Sequence, residues 1–157
     1  MTERNRVPSL LSRAGAVSAL SLAAMSTSLV APGAAPEAAA ATHAAKALRI
    51  ASSKKGSPYQ YGATGPRRFD CSGLTLYSYK KAGKTLPRTA AQQHNRTKRI
   101  SPANRRKGDL VFFHSGGNVY HVGIYAGGGR IWHSPKSGAV VRLEKIWTGN
   151  VRYGRVN

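Results

Sequence analysis

Cys71 is the single cysteine of the chain. It stands in Phe69-Asp70-Cys71-Ser72-Gly73-Leu74, where a helical pattern begins. A thiol with no second cysteine to pair with is either an inert, buried small hydrophobe or a free nucleophile. In the first turn of a helix, unpaired N–H groups and the positive end of the macrodipole stabilise a thiolate, which favours the nucleophile. His121 and His133 supply the rest of a possible machine. If the strands around them form a hairpin centred on Gly127, His121 faces His133 across it. Their side chains then share one sheet face about 4.5–5.5 Å apart at Cβ, while Val122, Ile124 and Trp132 take the other face. His121 can accept the thiol proton and later protonate a leaving amine, and His133 can hold that ring in one tautomer. The backbone N–H of Cys71 is an oxyanion donor at the helix start. This is the chemistry of a thiol hydrolase.

The elements that must position these groups are legible in the pattern. Residues 43–53 read as a short helix, with Ala44, Ala47, Leu48 and Ala51 at helical spacing, stopped by Gly56-Ser57-Pro58. Residues 59–61 read as an extended piece. Asp70 is an N-cap type ahead of a helix over 71–81, and Gly83 is placed to terminate it. Pro87-Arg88-Thr89 opens a second helical stretch to about residue 95. Beyond Gly108 the period changes, with strands expected over 110–113, 120–126, 130–134, 139–143 and 151–156. Helices first and antiparallel strands after is an α+β pattern.

The N-terminal segment has a different character. Arg4, Arg6 and Arg13 precede an uncharged apolar run over residues 14–30, followed by Ala-rich sequence with A-x-A sites near 38–41. That order predicts an export leader over residues 1–41, rather than a membrane anchor, and one catalytic domain over 42–157. Residues 34–45 read as linker. The expected location is secreted.

The charge is extreme, with 25 Lys and Arg against 5 Asp and Glu. From residue 42 onward the only acids are Asp70, Asp109 and Glu144. Such a surface favours anionic partners. For an exported protein these are anionic wall polymers. Nucleic acid is not expected, because export and the lack of an aromatic stacking pattern argue against it. The basic residues fall in short clusters, such as Arg67-Arg68 and Arg105-Arg106-Lys107, and not in one stripe. A metal site through His114, His121 and His133 is disfavoured, since no carboxylate stands near them in sequence and no H-x-x-x-H or C-x-x-C spacing occurs. No cofactor is expected, and the protein reads as a monomer.

Five segments carry a resemblance. Pro58-Tyr59-Gln60-Tyr61-Gly62, the block around Cys71, Leu86-Pro87-Arg88-Thr89, Gly108-Asp109-Leu110-Val111-Phe112-Phe113 and His121-Val122-Gly123-Ile124-Tyr125 resemble the NlpC/P60 family of cell-wall cysteine peptidases. Departures are Tyr61, Ala63 and Lys107, none of them in the chemistry. The resemblance implies a papain-like core with helices on an antiparallel sheet. It implies hydrolysis of peptidoglycan stem peptides, usually between γ-D-glutamate and the following diamino acid. Carried over by motif, Cys71 is the nucleophile, His121 the base and His133 the orienting residue. Tyr59 matches the tyrosine near the oxyanion, and Asp70 and Ser72 flank the nucleophile at the substrate site. Arg88 and Gln93 are expected to be structural. Two other readings are a non-catalytic cationic wall-binding module on the same fold, and an amidase acting on another amide.

Overall fold

The computed structural model describes residues 34–157. Most of the expected leader lies outside them. Three helices and six strands follow in order: α1 (Ala34–Ser53), α2 (Cys71–Lys81), α3 (Ala90–Arg96), β1 (Lys98–Ile100), β2 (Leu110–Ser115), β3 (Asn118–Gly127), β4 (Arg130–His133), β5 (Arg142–Lys145) and β6 (Val151–Arg155). All six strands join one antiparallel sheet in the order β1-β6-β2-β3-β4-β5. The fold is α+β, as expected, with the helices packed on this sheet. Among the described residues, no helix is long and apolar enough to cross a membrane.

The sheet has two apolar faces because its central strand β2 is buried on both sides. Leu110 and Phe112 meet the helices together with Val122 and Ile124. Val111 and Phe113 form a second cluster with Tyr125, Ile131 and Tyr153 on the opposite face. Near-continuous apolar runs such as Leu110-Val111-Phe112-Phe113 are what a doubly covered strand requires.

α1 docks through alanines. Ala40, Ala44, Ala47 and Ala51 repeat at helical spacing and are all buried, so the helix backbone approaches closely. At the tightest point a Cβ on Gly108 would lie 2.6 Å from Ala44 Cβ. Gly108 also has φ +96°, which an L side chain rarely adopts. Tyr79 of α2 closes the same junction by donating its hydroxyl to the Gly108 carbonyl at 2.6 Å. The helix therefore starts well before residue 43, and residues 34–45, expected as linker, are part of it. Burial of Ala40 and Ala44 gives that segment a docking stripe of its own.

The other helices end as the sequence implies. Asp70 caps α2 through Gly73 N–H, and Gly83 follows the C-cap with φ +95°. α3 begins later than Pro87, at a capping box formed by Thr89 and Gln92. β1 was not expected. Its residues Lys98-Arg99-Ile100 pair with β6 at the sheet edge, mostly exposed, so they carry no apolar alternation. The strand expected over 139–143 is displaced to 142–145, although Val140 and Val141 still bond back to the 57–58 segment.

Candidate active site

Cys71 is the first residue of α2, held there by the turn before it. Asp70 accepts from Gly73 N–H at 2.7 Å and from Gly62 N–H at 2.9 Å. Both its oxygens also meet the Arg88 guanidinium, which donates onward to Ser72 Oγ at 3.0 Å. Glycine at 73 is required, because a Cβ there would lie 2.0 Å from the Ala63 carbonyl oxygen. That carbonyl accepts from Asp70 N–H at 2.9 Å, so the loop before the helix packs directly on its first turn. Gln93 is fully buried and bonds Thr75, the Ser72 carbonyl and the Pro87 carbonyl, which fixes α3 against α2.

The Cys71 thiol is pushed above its usual range. Burial is the first cause and the Asp70 carboxylate the second; backbone hydrogen bonds from Ser72, Val122 and Cys71 itself act in the opposite sense. Burial thus opposes the thiolate that the helix start is expected to favour. The bond to Val122 brings the sulfur to the residue beside His121. Among the described residues, no hydrogen bond joins Sγ to an imidazole nitrogen.

His121 and His133 do come together. His121 Nε2 lies 2.8 Å from His133 Nδ1, with both rings buried and nearly perpendicular. The register differs from the one expected. Ile124 pairs with Trp132 and Tyr125 with Ile131, whereas Gly127 pairs with Arg130. The turn thus centres beyond Gly127, and a bulge at Ala126 takes up one residue. The net slip is even, so the two histidines keep a common face as diagonal neighbours instead of direct partners. Ser134, next in the chain, donates to the Phe69 carbonyl at 2.8 Å and ties the end of β4 to the segment carrying Cys71.

The pair is not free of carboxylate. Glu144 Oε2 lies 2.9 Å from His133 Nε2 and also accepts from Arg142 Nε at 2.7 Å. In the β4–β5 register His133 pairs with Arg142, which puts Glu144 two residues along on the same face. The sequence carried one hint: alternation in Arg142-Leu143-Glu144 puts both charged residues on one side of a strand. Trp147 completes the enclosure. It stacks on Phe113 with centroids 4.1 Å apart and lies tilted against both imidazoles. Burial pushes His121 down to about 3, with neighbouring His133 acting in the same sense. His133 is also lowered, by burial first, against the pull of Glu144. Both rings rest neutral.

Two cavities are lined by these groups. One of about 430 Å³ is lined by Tyr59, Asp70, Cys71, Ser72 and Arg88. The other, about 300 Å³, is lined by His121, His133, Lys136, Arg142, Glu144 and Trp147. Tyr120 borders both. Tyr59, partly buried, is raised by burial first and then by Cys71 and Asp70. His114 does not join the histidine pair. It packs edge-on against His94, with centroids 5.1 Å apart. A thiol at a capped helix start and a buried, hydrogen-bonded imidazole pair, lining cavities that share Tyr120, are the parts that acyl transfer needs.

A model of the NlpC/P60 family matches residues 56–153. Over 88 residues the chain is 51% identical to the bifunctional muramidase/DL-endopeptidase CwlT of Bacillus subtilis, covering 54% of this chain and 27% of that protein. It is 40% identical over 132 residues to a probable endopeptidase of Corynebacterium glutamicum, covering 83% of this chain and 59% of the relative. The structure of the peptidoglycan hydrolase RipB from Mycobacterium tuberculosis matches with a TM-score of 0.68 at 28% identity, over 76% of this chain and 67% of that one. The chain spans less than two thirds of the length of these curated relatives.

Proposed function

The chain belongs to the NlpC/P60 family, and on that premise we propose that it is a peptidoglycan endopeptidase that cuts stem peptides by thiol chemistry. One observation carries the reading: a lone thiol on a capped helix start lines a cavity that shares Tyr120 with the cavity lined by a buried, hydrogen-bonded histidine pair. The bond cut is that between γ-D-glutamate and the diamino acid after it.

In this mechanism the substrate enters with thiol and imidazole both neutral. His121 takes the Sγ proton as sulfur attacks the carbonyl carbon, forming the S–C bond and a tetrahedral oxyanion. The Cys71 N–H and Tyr59 stabilise that oxyanion. The C–N bond then breaks and His121 returns the proton to the leaving amine. Water attacks the thioester, gives its proton to His121, and the thiol leaves reprotonated. Asp70 and Ser72, joined through Arg88, form the polar wall that meets the stem peptide.

The protein acts outside the cell, at the wall, after export by its leader. Its basic surface holds it on anionic wall polymers. That attachment weakens as salt rises, and unchanged binding to purified walls in high salt would count against it. The central test is mass spectrometry of purified peptidoglycan digested by the full chain and by Cys71→Ala. The expected result is fragments split after γ-D-glutamate with the parent alone. Intact stems with both proteins, bound equally to the wall, would support the wall-binding module instead. Fragments from another amide would support the amidase.

A further inference from the structure

The hydrogen bonds around His133 contain an ambiguity that only one side chain resolves. Two neutral imidazoles joined Nε2 to Nδ1 share a single proton in that bond, and it can sit on either ring. If it sits on His121 Nε2, then His121 Nδ1 is bare and can accept a proton. If it sits on His133 Nδ1, then His121 must carry its own proton on Nδ1 and is useless as a base. The pair alone does not decide between these states.

Glu144 decides it. An ionised carboxylate only accepts, so His133 Nε2, 2.9 Å from Oε2, must be the protonated nitrogen. Neutral His133 then has a bare Nδ1, which forces the shared proton onto His121 Nε2. Glu144 is itself kept ionised and aimed. Arg142 bonds the same oxygen at 2.7 Å and is the first cause of a lowered carboxyl pKa, with His133 also contributing. The arrangement is unusual in its use of a scarce residue, for the chain has only 5 acidic groups against 25 basic ones. We propose that Glu144, held by Arg142, is a positioning residue that selects the proton arrangement in which His121 is a competent base. The inference rests on the reading of Cys71 as nucleophile and His121 as base.

The test compares Glu144→Ala and Glu144→Gln with the parent in two assays. The first is turnover of purified stem peptide. The second is the alkylation rate of Cys71 by iodoacetamide at pH 7, which needs no peptide substrate and is unambiguous because the chain has one thiol. Glu144→Ala should lower kcat by about tenfold or more with KM little changed, and slow alkylation by about threefold or more. Glu144→Gln retains an acceptor for His133 Nε2–H and should recover most of both losses. Thermal unfolding checks that the variants fold; Glu144 sits on an edge strand, with its side chain 37% exposed. Parent-like kcat and alkylation in Glu144→Ala would overturn the proposal. So would a glutamine variant as slow as the alanine one, since that would make the charge, and not acceptance, the requirement. If the parent cuts no stem peptide while alkylation follows the expected order, the relay stands and the substrate assignment falls.

Discussion

Replacing Asp70 separates two roles that the carboxylate plays at once. In Asp70→Ala, α2 loses its cap bond from Gly73 N–H, worth about 1 kcal/mol. The pairing with Arg88 also goes. Arg88 is 38% exposed along its side chain and can rehydrate, so this loss is discounted to about 1 kcal/mol. Gly62 N–H lies at an exposed residue and recovers water, leaving about 0.5 kcal/mol. Together the loss is about 2.5 kcal/mol, or roughly 10 °C in Tm for a domain of this size. Asp70→Asn should lose somewhat less, since its amide oxygen can keep the cap while its NH2 group faces the donors of Gly62 and Arg88. The second role is electrostatic. Asp70 raises the Cys71 thiol, so neutralising it favours the thiolate. Asp70→Asn should therefore speed alkylation of Cys71 at pH 7 while lowering turnover, because the cleft wall is disturbed. Thermal unfolding and iodoacetamide kinetics read the two effects separately. A Tm loss under 2 °C in Asp70→Ala, or slower alkylation in a folded Asp70→Asn, would refute the reasoning.

Tyr79→Phe leaves the Gly108 carbonyl without its hydroxyl donor and should cost about 1–2 kcal/mol by urea denaturation. Gly108→Ala combines a left-handed φ with overlap onto the Ala44 backbone, whose C and O lie 2.7 Å from the new Cβ. It should cost about 3 kcal/mol or more, read as lost soluble yield or a lowered Tm. Four buried histidines, His94, His114, His121 and His133, have depressed folded pKa values. The unfolded chain therefore binds protons first as pH falls below about 6.5, and stability is lost on the acid side, to completion only below the folded values, near 3 for His121. His94 and His114 face each other, with Arg99 and Arg152 nearby and both Nε2 atoms unpartnered among the described residues. His94→Phe should flatten the acid slope of Tm between pH 6.5 and 4.

Much of the site was legible because it depends on local rules. Asp70 before an apolar helix and Gly83 after it are enough to set α2, and that puts Cys71 at the first turn. The histidine pair was legible through parity alone. The turn and the bulge each moved the register, but their net effect was even, so the face survived although the pairing did not. Glu144 was not legible, because its contact depends on how β5 registers against β4, and a short, mostly exposed edge strand writes little of that into its sequence. The burial that raises Cys71 was not legible for a different reason. A helix start can be recognised from residue types, whereas burial depends on packing against the assembled core. β1 was missed for want of any apolar alternation, and the first turns of α1 because alanine repeats look like linker until a partner surface exists for them.

Tyr120, half exposed and common to both cavities, has a consequence for how a long chain is read. A polymer filling both basins would meet Tyr120 in each. The two linings share no other residue: Asp70 and Arg88 stand on one slope, Lys136 and Arg142 on the other. The two ends of such a molecule would be met by separate sets of side chains. A substitution on one slope would leave the lining of the other unchanged, so the two halves of the proposed substrate could be tuned almost independently.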